Sequence, residues 1–391
     1  MSVQLAARSR FESFAGPFDF GDDGLFEVVV VEHARGVVEA LLAACGHLPR
    51  NAAPARYLAG WLDGVLDAET CWHPAFPRAA RRIGAAGEDA RHLALAEIAL
   101  RAAERTTPGS CTFASPAAPV RFANTVLPCA ERVTFESSGT SVRFELASGG
   151  RAERFRFDLG AQRWVLAAGD ERRVVTLPVV PFGTRRVTLA DRAKALSVNA
   201  TTTVPLSTVG AEKLGARCGD ALTLVSRYAP AFTSWIERVL RVIVPRSTGD
   251  GTLFSGSASD APGIVELSFD TRLVSIAEAL VHESTHQYLH VATRVARVDD
   301  GSDPTLYYSP VKRTGRPVRA ILVAYHAFAN VVLFYKLCRA GGIDDEGYCA
   351  RNEAETRAQL AVLEQALRAT RALTDVGEAL WRPLARRLAE A

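Results

Sequence analysis

Lysine is nearly missing from this chain: Lys194, Lys213, Lys312 and Lys336 stand in a basic complement of 46 that is otherwise arginine. Acidic residues number 43, and the formal charge of +3 is too small for a nucleic-acid footprint, so no DNA or RNA partner is expected. The arginine bias itself reads as codon usage more than chemistry. Spaced cysteine pairs are missing too. Cys45, Cys71, Cys111, Cys129, Cys218, Cys338 and Cys349 are odd in number and form no CxxC, which predicts reduced, mostly buried thiols. No apolar run approaches the length of a membrane span, and Met1 to Gly16 mixes Arg8, Arg10 and Glu12 with isolated apolar residues, unlike an export segment. The expectation is a cytoplasmic protein with no membrane partner. Internal repeats and low-complexity segments are absent as well.

What is present is ample for a core: 391 residues, 48% of them hydrophobic and 23% charged, enough for two lobes. From about His33 to Arg105 apolar residues recur at helical spacing (Val37, Val38, Leu41, Leu42; Leu93, Leu95, Ile98, Leu100). His33, His47, His73 and His92 are scattered singly through this stretch and receive no role. After Thr106-Thr107-Pro108-Gly109 the period becomes two. Val133 and Phe135, then Val142, Phe144 and Leu146, then Phe155, Phe157 and Leu159, then Trp164 and Leu166 alternate between turn signals at Ser138-Gly139, Gly149-Gly150, Gly160 and Gly169-Asp170. That predicts an antiparallel meander. Helical spacing returns between Leu206 and Val244 around Pro230, and Ile264 to Phe269 reads as a strand. A long loop from Asp299 to Arg316 precedes an apolar helix over Val318 to Leu337, and amphipathic helices follow at about Glu346 to Arg368 and Leu373 to Leu388. The predicted fold is α+β: a helical lobe over 1–108, a β-rich region over 109–205, and a helical metal-binding region over 206–391.

The chemistry concentrates in Val281-His282-Glu283-Ser284-Thr285-His286-Gln287-Tyr288-Leu289-His290. In a helix, positions four apart share a face, so His282 and His286 can present two imidazoles to one metal. Leu273, Ile276, Ala277, Leu280, Val281 and Leu289 supply the helical frame, and Ser275 is placed to cap its start. A tightly held metal needs a third ligand. His326, on a separate apolar helix with Asn330 four residues on to orient its ring, is the first choice; Asp303 is an alternative, and His290 suits substrate contact better. HExxH alone suggests a zinc peptidase in which Glu283 activates a metal-bound water as the catalytic base. Leu289 and Ala292 occupy the Gly and His places of the longer HExxHxxGxxH form.

Several further stretches narrow this. Pro262-Gly263-Ile264-Val265-Glu266-Leu267-Ser268, the helix with Ala279-Leu280-Val281-His282-Glu283-Ser284-Thr285-His286, the run Tyr307-Tyr308-Ser309-Pro310 with Arg316-Pro317, and His326-Ala327-Phe328 together resemble the HEXXH-motif peptide-modification proteins. These are 2-oxoglutarate-dependent dioxygenases that β-hydroxylate ribosomally synthesised peptides and are sometimes fused to radical enzymes. The resemblance spans roughly Phe232 to Leu337. It implies Fe(II) held by His282, His286 and His326, 2-oxoglutarate as co-substrate, a precursor peptide as substrate and biosynthetic partner enzymes. The co-substrate's distal carboxylate would meet Arg316, Lys312 or Arg313 beside Tyr308. Val311 and Lys312 stand where the family often has Trp-Arg, and a lysine pairs as a point charge without the bidentate fork. Glu283 would then need no base role. The hydroxylase ranks first, a zinc peptidase second, and a peptide-binding module without catalysis third.

Overall fold

A computed structural model of the chain describes residues 8–18, 24–84, 87–104, 107–114, 121–123, 125–127, 130–161, 163–165, 175–189, 207, 209–343 and 346–390. Leu166, Cys129, Leu206 and the Gly169-Asp170 turn lie outside them. The architecture is mixed α+β, with helices toward both ends of the chain and sheets in its middle. Contacts group it into two compact units. One comprises residues 30–179 with 260–262; the other gathers 1–29, 180–259 and 263–391.

In the first unit, helices Ala52–Leu62, Ala75–Gly84 and Glu88–Ala103 accompany the expected meander. Strands Arg132–Ser137, Ser141–Ser148, Arg151–Asp158 and Arg163–Val165 pair antiparallel in sequence order, and Gly109–Ala114 adds to the open edge. The register sets Phe135 opposite Phe144 and Phe144 opposite Phe155, so alternate residues bury one aromatic face. The scattered His92 is a satisfied core residue, its two nitrogens bonded to Asn51 Oδ1 and the Ala114 carbonyl.

The second unit carries the motif. Its sheet differs from the sequence expectation. Val242–Arg246, which falls at the end of the helical reading, is a central strand running parallel to both Arg185–Leu189 and Ile264–Ser268, and Ser255–Gly256 closes one edge antiparallel. Helical periodicity holds for Ala211–Tyr228 and Ala231–Val239 and fails at the β-branched run Val242-Ile243-Val244, all three of which the sheet absorbs. Gly263, at φ +76°, makes the bend that enters the strand Ile264–Ser268, a left-handed conformation that favours glycine.

The motif helix runs Leu273–Val295. Arg272 occupies its N-cap position; Ser275 lies buried inside the first turn and does not cap it. On its core face Tyr288 stacks on Trp235, donates its hydroxyl to the Trp235 carbonyl and touches the rings of Phe14 and Phe26. The apolar helix, Val318–Ala340, is long and apolar enough to cross a membrane by length and composition, a correction to the expectation that no run is. Its apolar sides are buried, with the motif helix and the helices Tyr348–Ala369 and Asp375–Glu390 packed against it. The six described cysteines are buried and lie outside any disulfide. Burial pushes the thiols of Cys71, Cys111, Cys218 and Cys338 up to about 12, which keeps them protonated and inert.

Candidate metal centre

Between Val274 and Ala292 the motif helix is buried at every position except Glu278, His282, His286 and His290. Residues four apart drift by about 40° per step, so these four form one slow spiral that solvent still reaches. Protein nonetheless crowds them: burial first, then the neighbouring His282, His290 and His326, hold the His286 pKa well below the ordinary imidazole range. A spiral of ionisable side chains left open on an otherwise core helix costs hydrophobic burial and calls for a functional reason.

His282 and His286 point the same nitrogen at one another, their Nε2 atoms 3.0 Å apart. Two nitrogens bonded to one ion at about 2.0–2.1 Å stand roughly 2.8–3.4 Å apart as the angle opens from square to tetrahedral, so the pair's spacing fits a metal. Phe328 from the apolar helix lies against His282, ring centres 5.6 Å apart, and fixes that imidazole from the other side.

His326 is fully buried and donates Nε2–H to the carbonyl of Phe14, 2.8 Å away. Its Nδ1 therefore carries the lone pair, and that atom is buried without a hydrogen-bond partner. An imidazole with one nitrogen anchored to a carbonyl and the other orphaned has the electronic arrangement of a metal ligand. The orienting group is the Phe14 carbonyl, not Asn330. The Asn330 amide donates to the Ala15 and His326 carbonyls and makes no bond to the ring. Among the described residues, no set of three or more His, Cys, Asp or Glu side chains stands together as a complete metal group. His282 and His286 meet; His326 stands near enough to bear on His286 without joining them.

Glu283 is buried and held at both oxygens: Ser255 donates to Oε1 at 2.7 Å and Ser257 to Oε2 at 2.6 Å. Asp303 is engaged elsewhere, accepting from Tyr307, Thr370 and the Thr305 amide, bonds that hold its carboxyl well below the usual range. The Asp299 to Arg316 stretch contains a hairpin, Tyr307–Ser309 paired with Thr314–Arg316. Tyr308, Lys312, Arg313 and Arg316 are exposed on it, Tyr308 at 56%. From Val318 to Phe328 alone the helix axis covers about 15 Å at 1.5 Å per residue, which separates Arg316 from the imidazole pair along the chain.

Two residues of the spiral escaped the sequence reading. Glu278, one turn before His282, accepts from the Tyr348 hydroxyl, and burial raises its pKa. Arg294, one turn after His290, continues the spiral, about 120° round the helix from His282. Both were detectable as the fourth-residue continuation of the motif, but nothing in the sequence marks that face as the open one.

The buried imidazoles make stability pH-dependent. Burial lowers His326 to about 4 in the folded chain, whereas the unfolded chain titrates near 6.5, so the unfolded state takes up protons first as pH falls. The His326 contribution to the stability of metal-free protein is expected to fall progressively from about pH 6.5 to about 4, with His286 adding to the slope. Urea midpoints at pH 7.5 and 5 check this; equal midpoints contradict it.

No family model matches the chain, and no curated protein is detectably similar to it in sequence.

Proposed function

We propose that the protein is an Fe(II)- and 2-oxoglutarate-dependent dioxygenase acting on a peptide in the cytoplasm, with the metal held by His282 and His286 and completed by His326. The observation that carries this over the zinc-peptidase alternative is the grip of Ser255 and Ser257 on both oxygens of Glu283. A peptidase needs that carboxylate turned to a metal-bound water. Here it is a buried anchor that ties the motif helix to the edge strand. The peptide substrate, and the biosynthetic partner enzymes that go with it, rest on the resemblance of the motif segments.

Iron with a 2-oxo acid and O₂ supplies the oxidising power for C–H hydroxylation. The chain's residues supply the rest. Three neutral imidazoles bring no negative charge, so an anionic 2-oxo acid would balance the ion. Phe328 shields one side of His282, and the depressed pKa values of His286 and His326 keep those rings neutral and ready to bind metal at cytoplasmic pH.

The test needs no peptide. Anaerobically iron-loaded protein exposed to air and 2-oxoglutarate should form succinate slowly, and Glu283→Gln should retain most of that turnover. Zinc-loaded protein that cleaves peptides, loses cleavage on Glu283→Gln and ignores 2-oxoglutarate would establish the peptidase instead.

A further inference from the structure

Between Pro304 and Ala320 the chain places Lys312, Arg313, Arg316 and Arg319 and no carboxylate, in a protein whose charges are otherwise nearly balanced. All four are exposed, and among the described residues none of them forms an ion pair. The arginines of the helices Tyr348–Ala369 and Asp375–Glu390 differ, in that Arg357, Arg368 and Arg382 each hold a glutamate one turn away. Apolar side chains gather at the same place. Leu306, Tyr308 and Val311, exposed by 65%, 56% and 39%, make up three of the seven large apolar side chains that the described residues expose. We infer that this hairpin, Tyr307–Ser309 with Thr314–Arg316, docks an extended acidic segment of a partner polypeptide in which charged and apolar residues alternate. The inference deepens the peptide reading above and rests on it for the occupant.

The strand pairing sets the alternation. The inner strand is fixed: it packs against the helices Val318–Ala340 and Tyr348–Ala369, buries Ser309 and donates the Tyr307 hydroxyl to Asp303. The outer strand, Thr314–Arg316, is exposed at every residue and has no second neighbour in its sheet, so an extended chain can add to its free edge. Residues opposite one another in a sheet share a face, and successive residues alternate between faces. Tyr308 stands opposite Gly315, and a side chain on Gly315 would meet the Leu306 Cβ at 3.0 Å. Leu306 and Tyr308 therefore frame an apolar face over a residue without a side chain. Arg316 falls on the other face, opposite Tyr307. A third strand sets its apolar residues beside Gly315 and its acidic ones beside Thr314 and Arg316, with Lys312 and Arg313 at the turn to meet further carboxylates. The turn holds Arg313 at φ +51°, a left-handed conformation that bulky side chains rarely adopt, so a cation is kept where glycine would fit without strain.

The experiment reads the fluorescence anisotropy of labelled synthetic peptides on metal-free protein: one alternating Glu and Leu, one of the same composition with Glu and Leu in separate blocks, and one alternating Lys and Leu. The alternating Glu and Leu peptide should bind about tenfold or more tightly than either of the others, and less tightly as salt rises. Lys312→Gln, Arg313→Gln and Arg316→Gln together should weaken it about tenfold or more, and Leu306→Ser with Tyr308→Ser by a similar factor. Arg357→Gln, Arg368→Gln and Arg382→Gln together remove the same net charge elsewhere and should leave binding within about threefold. Circular dichroism shows that each variant is folded. No binding of the alternating Glu and Leu peptide, equal binding of the blocked one, or unchanged binding in the hairpin variants overturns the inference. Tighter binding of oligothymidylate or of phosphatidylserine vesicles overturns it too, since the hairpin would then be a general anion surface. Because no metal takes part, these results leave the iron and 2-oxo acid reading where it stands, and a failure to form succinate leaves the docking surface intact.

Discussion

Alanine at His282 or at His286 is expected to strip the protein of its metal. Each ring brings one of the two nitrogens that face each other at 3.0 Å, and among the described residues no set of three or more His, Cys, Asp or Glu side chains stands ready to replace them. Losing a residue that merely orients a ligand weakens a metal about ten- to a hundredfold, so losing a ligand itself should exceed about a hundredfold. His326→Ala is the informative comparison. It removes the ring whose Nδ1 is orphaned, and it also strands the Phe14 carbonyl in the core, which costs about 1–3 kcal/mol of stability. Iron content after anaerobic dialysis, with circular dichroism as a fold control, separates the effects. Full occupancy in folded His326→Ala would reject the three-histidine site and turn attention to His290, whose ring lies 6.2 Å from that of His286.

Local pattern made much of this legible. The motif helix announces itself through Ile276, Leu280 and Leu289 at helical spacing, and the meander through Phe135, Phe144, Phe155 and Phe157 at spacing two, because both patterns are direct consequences of burying one face. What stayed hidden depends on residues far apart in the chain. Nothing in Phe14 foretells that its carbonyl, contributed by the 3₁₀ turn Arg8–Phe14, would anchor His326 across 312 residues, since a backbone acceptor leaves no mark on residue type. Ser255 and Ser257 look like ordinary loop serines until the edge strand sets them against Glu283. The parallel pairing of Val242–Arg246 with Ile264–Ser268 is similarly non-local, and a short apolar run such as Val242-Ile243-Val244 reads as easily as helix.

That sheet sets the second large effect. Arg246 and Glu266 form an ion pair in the core, Nε and Nη2 reaching the same Oε2 at 3.2 and 3.1 Å, with the arginine side chain 5% and the glutamate 1% exposed. Desolvating both charges offsets most of their attraction, so the pair adds little to net stability, yet either partner alone is a charge the interior cannot solvate. Glu266→Ala should therefore destabilise the protein by about 3–5 kcal/mol, seen as a lower urea midpoint at unchanged slope. Replacing both with methionine removes both charges at similar volume and should recover most of that loss. The consequence reaches the metal centre through register. Glu266 pairs with Gly256, between the two serines that hold Glu283, so a shift of this strand loosens the anchor of the motif helix. Iron affinity in Glu266→Ala should accordingly fall together with stability and return in the double replacement. Restored stability with iron affinity still low would show that the ion pair itself, and not the strand it seats, supports the site.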